Sequence, residues 1–203
     1  MKKKKIKILA IGDIHGDTGL VKKLVEKTEK EKIDLIILAG DLTFAEKSIK
    51  NIIGPFLKTK KQIFLIPGNH ESPATADALA QMYGAKNIHG YGFVENGIGI
   101  FGAGAADIGP YPISDKDIFG LLDKGNKEIK NARKKIMVTH MHPLGSKVDL
   151  FGFSGSKAIK KAIKKFKPDI AINAHIHEAG GIEEKIGKTR VINVSRKEKV
   201  FEI

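Results

Sequence analysis

The sequence predicts an α/β protein, and three observations predict it. Five short apolar runs recur along the 203 residues, at 6–13, 33–41, 61–70, 134–140 and 168–175. Stretches with helical spacing lie between them. Each run is rich in Ile, Leu or Val and is bounded by glycine or polar residues, as buried strands are.

The elements follow in order. IKILAIGD (6–13) is the first strand. Thr18 to Glu31 spaces Leu20, Leu24 and Val25 on one helical face, with Asp17 placed to cap its start. IDLIILAGD (33–41) is the second strand. Ala45 to Ile53 reads as a helix that Gly54-Pro55 ends. KQIFLIPGNH (61–70) is the third strand, and Ser72 to Met82 a helix with Pro73 in its first turn. Tyr91 to Ala103 reads as a hairpin turning at Glu95-Asn96-Gly97. Gly104 to Asp115 is a loop bearing glycine and proline, expected to be mobile and near a site. KKIMVTH (134–140) is a further strand. Ser156 to Lys167 is the plainest helix: Ile159, Ala162, Ile163 and Phe166 form a stripe opposite Lys157, Lys160, Lys161, Lys164 and Lys165. Pro168 stops it before PDIAINAH (168–175). Gly181 to Ile203 adds three short strands, turning at Gly187-Lys188 and near Arg196-Lys197. The sheet is therefore mixed, or there are two. No repeat or linker interrupts the chain, so residues 1–203 read as a single domain.

Composition narrows the function. Apolar residues make up 41%, as in a folded core, and cysteine is absent, which excludes disulfides and thiolate metal sites. The start, MKKKKIKILA, is basic and then apolar, but the run breaks at Gly12-Asp13 with no cleavage site after it. No run approaches the roughly 18 apolar residues of a spanning helix. A cytoplasmic protein without membrane contact is expected. The formal charge is +13, yet of the 36 basic residues only Arg133, Arg190 and Arg196 are arginine. Forked recognition of phosphate and bases favours arginine. The lysines read first as a solvated surface, a composition that also suits heat adaptation. A nucleic-acid footprint is the alternative.

Polar residues gather where the runs end: Asp13 with His15, Asp41, Asn69 with His70, His140, and His175 with His177. Six of the 7 histidines lie in or beside these ends; His89 does not. Each residue alone has an ordinary reading. Asp13 and Asp41 could cap helices. Asn69 after Pro67-Gly68 could be a turn residue. His140 could be a satisfied interior histidine. Five strands delivering ligand-type residues to the edge where α/β sheets bind ligands is another matter. Carboxylates and imidazoles without thiolates suit Mn, Fe, Zn or Ni. The set is too large for one tetrahedral ion.

Asp13-x-His15, Gly40-Asp41, Gly68-Asn69-His70-Glu71, His140 and His175-x-His177 together resemble the calcineurin-like metallophosphoesterase signature, in order and in strand-end placement. The resemblance implies a four-layer α/β/β/α sandwich of two mixed sheets flanked by helices. It implies two divalent ions, with manganese placed first. Asp13, His15 and His177 would hold one, Asn69, His140 and His175 the other, and Asp41 would bridge them. His70 would be catalytic, facing substrate rather than metal. A hydroxide between the ions would attack phosphorus in line. Glu71 could orient or charge-tune His70 but reads first as an exposed residue at a helix start, and His142 is left open between substrate contact and loop. Two positions depart from the pattern: Ala174 stands where the family has glycine, and Ile176 where it has a small or polar residue. With Ala174 the strand is expected to run on into His175.

The function expected is hydrolysis of small phosphate esters by a phosphodiesterase. A nuclease or RNA-processing enzyme using the lysine surface is the first alternative. A non-catalytic scaffold, resembling the retromer subunit of this fold, is the second.

Overall fold

The computed structural model describes residues 5–203; the basic start Met1–Lys4 lies outside them. Among the described residues, eleven strands form two mixed sheets. The first contains β1 (Lys7–Ile11), β2 (Leu35–Ala39), β3 (Gln62–Ile66), the two-residue β4 (Lys86–Asn87) and β11 (Lys199–Glu202), in the order β11-β1-β2-β3-β4. The second contains β5 (Gly92–Glu95), β6 (Ile98–Ala103), β7 (Lys134–Thr139), β8 (Ile170–Asn173), β9 (Glu183–Ile186) and β10 (Thr189–Asn193), in the order β5-β6-β7-β8-β10-β9. Strands β1 to β4 run parallel, as do β6, β7, β8 and β10, while β11, β5 and β9 pair antiparallel at the edges.

Side-chain alternation makes the layers. Ile8 and Ala10, Leu35 and Ile37, and Phe64 and Ile66 face Ile100, Ile136, Val138, Ile170, Ile172 and Ile192 of the other sheet. The alternate residues Leu9, Ile36, Leu38 and Leu65 face α1 (Thr18–Lys30) and α2 (Pro73–Tyr83). On the far side, Phe101, Met137, Ala171 and Val191 pack on α3 (Asp115–Glu128) and α4 (Lys157–Phe166). The strands are apolar on both faces because both faces are covered. The outcome is the α/β/β/α sandwich.

The helices stop and start as their end residues require. Asp17 caps α1 by accepting from Leu20 N at 2.9 Å, and Ser156 caps α4 by accepting from Ile159 N at 3.1 Å. The hairpin turns at Asn96-Gly97, whose φ angles of 52° and 82° suit the tight turn between twisted strands.

Two expectations need correction. Residues 45–53 form no α-helix: Ala45, Glu46 and Asn51 take φ of 49°, 58° and 58°, which a right-handed helix does not admit. Gly54-Pro55 opens a 3₁₀ turn (Gly54–Thr59) rather than closing a helix. Helix α3 is not among the elements expected from the sequence, although Ser114 caps it and Ile118, Leu122 and Ile129 mark its buried face. Gly120 and Gly125 obscure that pattern. Gly125 is needed because a Cβ there would lie 2.7 Å from Tyr91 O, so the helix rests on backbone.

Candidate metal centre

Every expected site residue lies at the carboxyl end of a parallel strand. Asp13 and His15 follow β1, Asp41 follows β2, Asn69 and His70 follow β3, His140 follows β7, and His175 and His177 follow β8. The ends of the central strands of both sheets open on one side, so one cleft collects them all.

The loops after β1 and β2 are zipped together. Asp13 N donates to Gly40 O at 2.9 Å, His15 N to Asp41 O at 2.8 Å and Gly16 N to Leu42 O at 2.9 Å. Asp13, His15 and Asp41 take φ of 56°, 48° and 50°. Such angles cost non-glycine residues energy and persist where the surroundings impose them. Arg196 is one such constraint: its guanidinium donates to Asp13 O and Ile14 O, each at 3.1 Å, and pairs with Asp17 at 3.1 Å. Gly68 is another, because a Cβ there would overlap Asp41 Oδ1 and its backbone nitrogen.

Glu71 is the main correction. It is not an exposed helix-start residue but is fully buried. Its carboxylate accepts from Gly68 N at 2.7 Å, Thr43 N at 2.8 Å, Thr43 Oγ1 at 3.0 Å and Leu42 N at 3.2 Å. Burial, with Asp41 nearby, pushes its pKa up; the donors around it pull the other way and favour the ionised form. Glu71 thus ties the loop of Asp41 to the loop of Asn69. The signal in the sequence is its place directly after Asn69-His70, but nothing there tells it from a solvated first-turn acid.

The turn at His175 resolves the Ala174 question. Strand β8 ends at Asn173, and Ala174 is fully buried with ordinary backbone. His175 makes the turn, with φ of 74° and Ile176 N donating to Ala174 O at 2.9 Å. This is a γ-turn of the strained, positive-φ kind. The expected unbroken strand is absent: β8 ends at Asn173 and the chain turns at His175. Gly12 supplies the room: a Cβ there would lie 2.5 Å from Ala174 Cβ. His175 N donates to Asp13 Oδ2 at 3.0 Å, which holds the turn against β1.

Three groups of side chains can each offer ligand atoms to a cation: Asp13, His15 and His177; Asp41, His140 and His175; and His15, Asp41 and His70. His15 Nε2 and His177 Nε2 are 3.2 Å apart. Asp13 Oδ1 is buried and has no hydrogen-bond partner; His177, His15 and His140 Nε2 stand 3.6, 3.9 and 4.0 Å from it. Asn69 Oδ1 is 3.0 Å from His140 Nε2. His140 Nδ1 faces the carbonyl of Ala39 at 2.9 Å, so that nitrogen carries the hydrogen and Nε2 is left as the ligand atom. Two ligands about 2.1 Å from one ion sit about 3.0–3.4 Å apart. An orphaned buried carboxylate oxygen ringed by imidazole nitrogens at slightly more than that spacing fits a divalent cation.

The electrostatics agree. Burial alone would raise the carboxyls of Asp13 and Asp41, yet the nearby imidazoles of His177 and His140 hold Asp13 low, and those of His140 and His15 do so for Asp41. Burial would lower His140, but the two carboxylates push it up to about 9. Burial and His140 press His175 down to about 4. The clustered carboxylates hold cationic charge when ions are absent; a divalent ion would displace the proton of His140.

Other residues fall nearby. His70 N donates to Asp41 Oδ1 at 3.0 Å, and its Nε2 is 4.0 Å from Asp41 Oδ2. The loop 104–114 reaches the site: a Cβ at Gly109 would touch Asn69 Nδ2 at 2.9 Å, and Tyr111 donates to Glu46 at 2.9 Å. His142 lies in the loop between β7 and the 3₁₀ turn Lys147–Phe151 and is buried there, with Nε2 3.1 Å from Asp149 Oδ1. His89 lies elsewhere and accepts from Gly104 N at 2.9 Å. No helix among the described residues is long and apolar enough to cross a membrane.

Comparison with known proteins gives the same picture. None of the curated proteins matches the sequence. Among solved structures, TT1561 of Thermus thermophilus is similar with a TM-score of 0.76 at 20% identity, covering 98% of this chain and 99% of that one. A dimetal phosphatase from Danio rerio is similar with a TM-score of 0.67 at 11% identity, covering 93% and 86%. A novel archaeal phosphodiesterase is similar with a TM-score of 0.57 at 16% identity, covering 98% and 99%. At these identities the likeness is one of fold. The model of the calcineurin-like phosphoesterases matches residues 6–179, which include every strand end of the cleft. On that match the chain belongs to the calcineurin-like phosphoesterases, metal-dependent hydrolases of phosphoric esters.

Proposed function

We propose that the chain is a phosphodiesterase that holds two divalent ions and acts on small phosphate esters. One observation supports it above others. Asp41 Oδ2 is 3.6 Å from His15 Nε2 and 3.5 Å from His140 Nε2, so a single oxygen lies between a histidine of each group. Asp13, His15 and His177 would hold one ion, and Asn69, His140 and His175 the other, with Asp41 common to both. Manganese comes first among Mn, Fe, Zn and Ni, because carboxylate and amide oxygens share the set with imidazoles. Bound there, the ions would lower the pKa of water and take up charge on phosphoryl oxygens.

The chain's own part is to position and to move a proton. Asp41 orients the backbone of His70 through its Oδ1. The His70 side chain is 26% exposed, on the open side of the cleft, where it donates a proton to the departing ester oxygen. His177, with a side chain 47% exposed, lies toward solvent, which suits an ester with two substituents.

The test is metal analysis and turnover on reconstituted protein, across metals and across mono- and diester substrates. Two equivalents of metal and hydrolysis of diesters are expected. Asp41→Asn should weaken both ions together; loss of only one argues against the shared carboxylate. His70→Ala should keep both ions and lose about 10²–10⁴-fold in turnover. Undiminished turnover removes His70 from the chemistry.

A further inference from the structure

A second cavity adjoins the metal centre and shares a wall with it. It is open to solvent with a volume of about 200 Å³, and His175 lines it together with His142, Asp107, Ser154, Ile108, Met141 and Phe153. Two features set it apart from a surface dent.

The first is a buried acceptor with nothing to accept. His142 is 1% exposed. Its Nε2 lies 3.1 Å from Asp149 Oδ1 and 3.3 Å from Phe153 O. Both are acceptors, so Nε2 carries the hydrogen and Nδ1 is left with a lone pair. Nδ1 is buried and has no hydrogen-bond partner. The arrangement is built: a Cβ at Gly155 would lie 2.7 Å from His142 Cδ2, so the chain closes over the ring only because residue 155 is glycine. An unmet buried acceptor in a native protein calls for an explanation.

The second is the mouth. Ile108 and Phe153 are 54% and 48% exposed, although both line the cavity. Apolar side chains left open beside a polar site gain burial when a ligand covers them.

We infer that this cavity receives the organic group of the ester: a flat, apolar group that carries one N–H or O–H donor, held between Ile108 and Phe153 and donating to His142 Nδ1. The inference rests on the phosphoesterase reading, since His175 joins the cavity to the phosphate site. Apolar contact with Phe153 and Ile108 sets preference for a ring over a methyl group. The His142 acceptor sets preference for a ring that bears a donor.

The experiment has a binding arm and a turnover arm. Calorimetry on the metal-loaded protein compares methyl phosphate, phenyl phosphate and 3-hydroxyphenyl phosphate. Turnover compares p-nitrophenyl diesters whose second group is methyl, phenyl or 3-hydroxyphenyl. Wild type should favour phenyl over methyl by about tenfold in both arms, and the hydroxyl should add a further severalfold. Phe153→Ala, on an exposed side chain whose loss the fold tolerates, should erase most of the phenyl preference. His142→Gln places an amide near Nε2 and deletes the Nδ1 acceptor; it should erase the hydroxyl increment in Kd and in kcat/KM. Equal affinity for methyl and phenyl phosphate, or selectivity unchanged in Phe153→Ala, overturns the inference. Selective binding without turnover of any ester leaves the cavity standing and refutes the hydrolase reading instead.

Discussion

Replacing Glu71 with alanine should unfold the loops beneath the metal centre before it touches any ligand. The carboxylate is fully buried and accepts three backbone N–H groups, from Leu42, Thr43 and Gly68, besides the hydroxyl of Thr43. The hydroxyl can rotate to another acceptor, but the backbone donors cannot. Each buried donor left unmet costs about 1–3 kcal/mol. Release of the carboxylate's own desolvation and entry of water into the vacated space offset part of this. A net loss of about 3–5 kcal/mol is expected, the range for removing one member of a buried charged network. For a chain of this size that corresponds to a fall in Tm of roughly 6–20 °C. Glu71→Gln should fall between alanine and wild type, because one amide oxygen still accepts while the NH₂ group faces donors. The assay is urea and thermal denaturation by circular dichroism in chelator, so that metal binding does not enter. If Glu71→Ala lies within about 1 kcal/mol of wild type, Glu71 is not the tie between the two loops. An order in which Gln costs more than Ala would equally contradict the donor argument.

Three further outcomes follow from particular contacts. Gly12→Ala and Ala174→Gly should each destabilise, the first by overlap at 2.5 Å and the second by about 1 kcal/mol from a lost buried methyl and added backbone freedom; the double variant should recover much of the first loss, and strictly additive Tm shifts would refute the size match. Glu46, whose carboxyl is lowered to about 2 by the hydroxyl of Thr75 and the backbone of Ser72, should add stability above pH 4.5 that is lost as pH falls toward 2; a wild-type advantage over Glu46→Gln that persists at pH 2 argues against it. The α4 lysines are partly engaged, with Lys161 over the Phe119 ring and Lys165 paired to Asp123 at 2.9 Å, so RNA retention should be weak and nonspecific; tight retention with a steep fall between about 50 and 200 mM salt would favour the nuclease reading instead.

The legible part of the molecule is the part whose residue types are forced by chemistry. Strand cores must be apolar on both faces, so runs such as LIILA in β2 stand out. Ligand-type residues at five strand ends are too particular to be turn chemistry repeated by chance. Less legible are the elements held by distant partners. Residues 45–53 have helical composition, but Glu46 reaches Ser72 and Tyr111, far away in sequence, and those bonds select a different path. In α3 the apolar stripe is interrupted by Gly125, which serves the approach of Tyr91 O from another element. Propensity is local and yields where tertiary contacts decide.

The sequence by itself determined the α/β class, most of the strands along the chain and the residues that gather at their carboxyl ends, because side-chain polarity and spacing are local facts. Only the tertiary structure decided how those residues meet. It placed the bend at His175 rather than at Ala174, because Ala174 fills the space left by Gly12. It buried Glu71, because the loops after β2 and β3 bring four donors to one point. And it set Asp41 Oδ2 between His15 and His140, residues 26 and 99 positions away, because their strands lie in two sheets whose ends share one cleft.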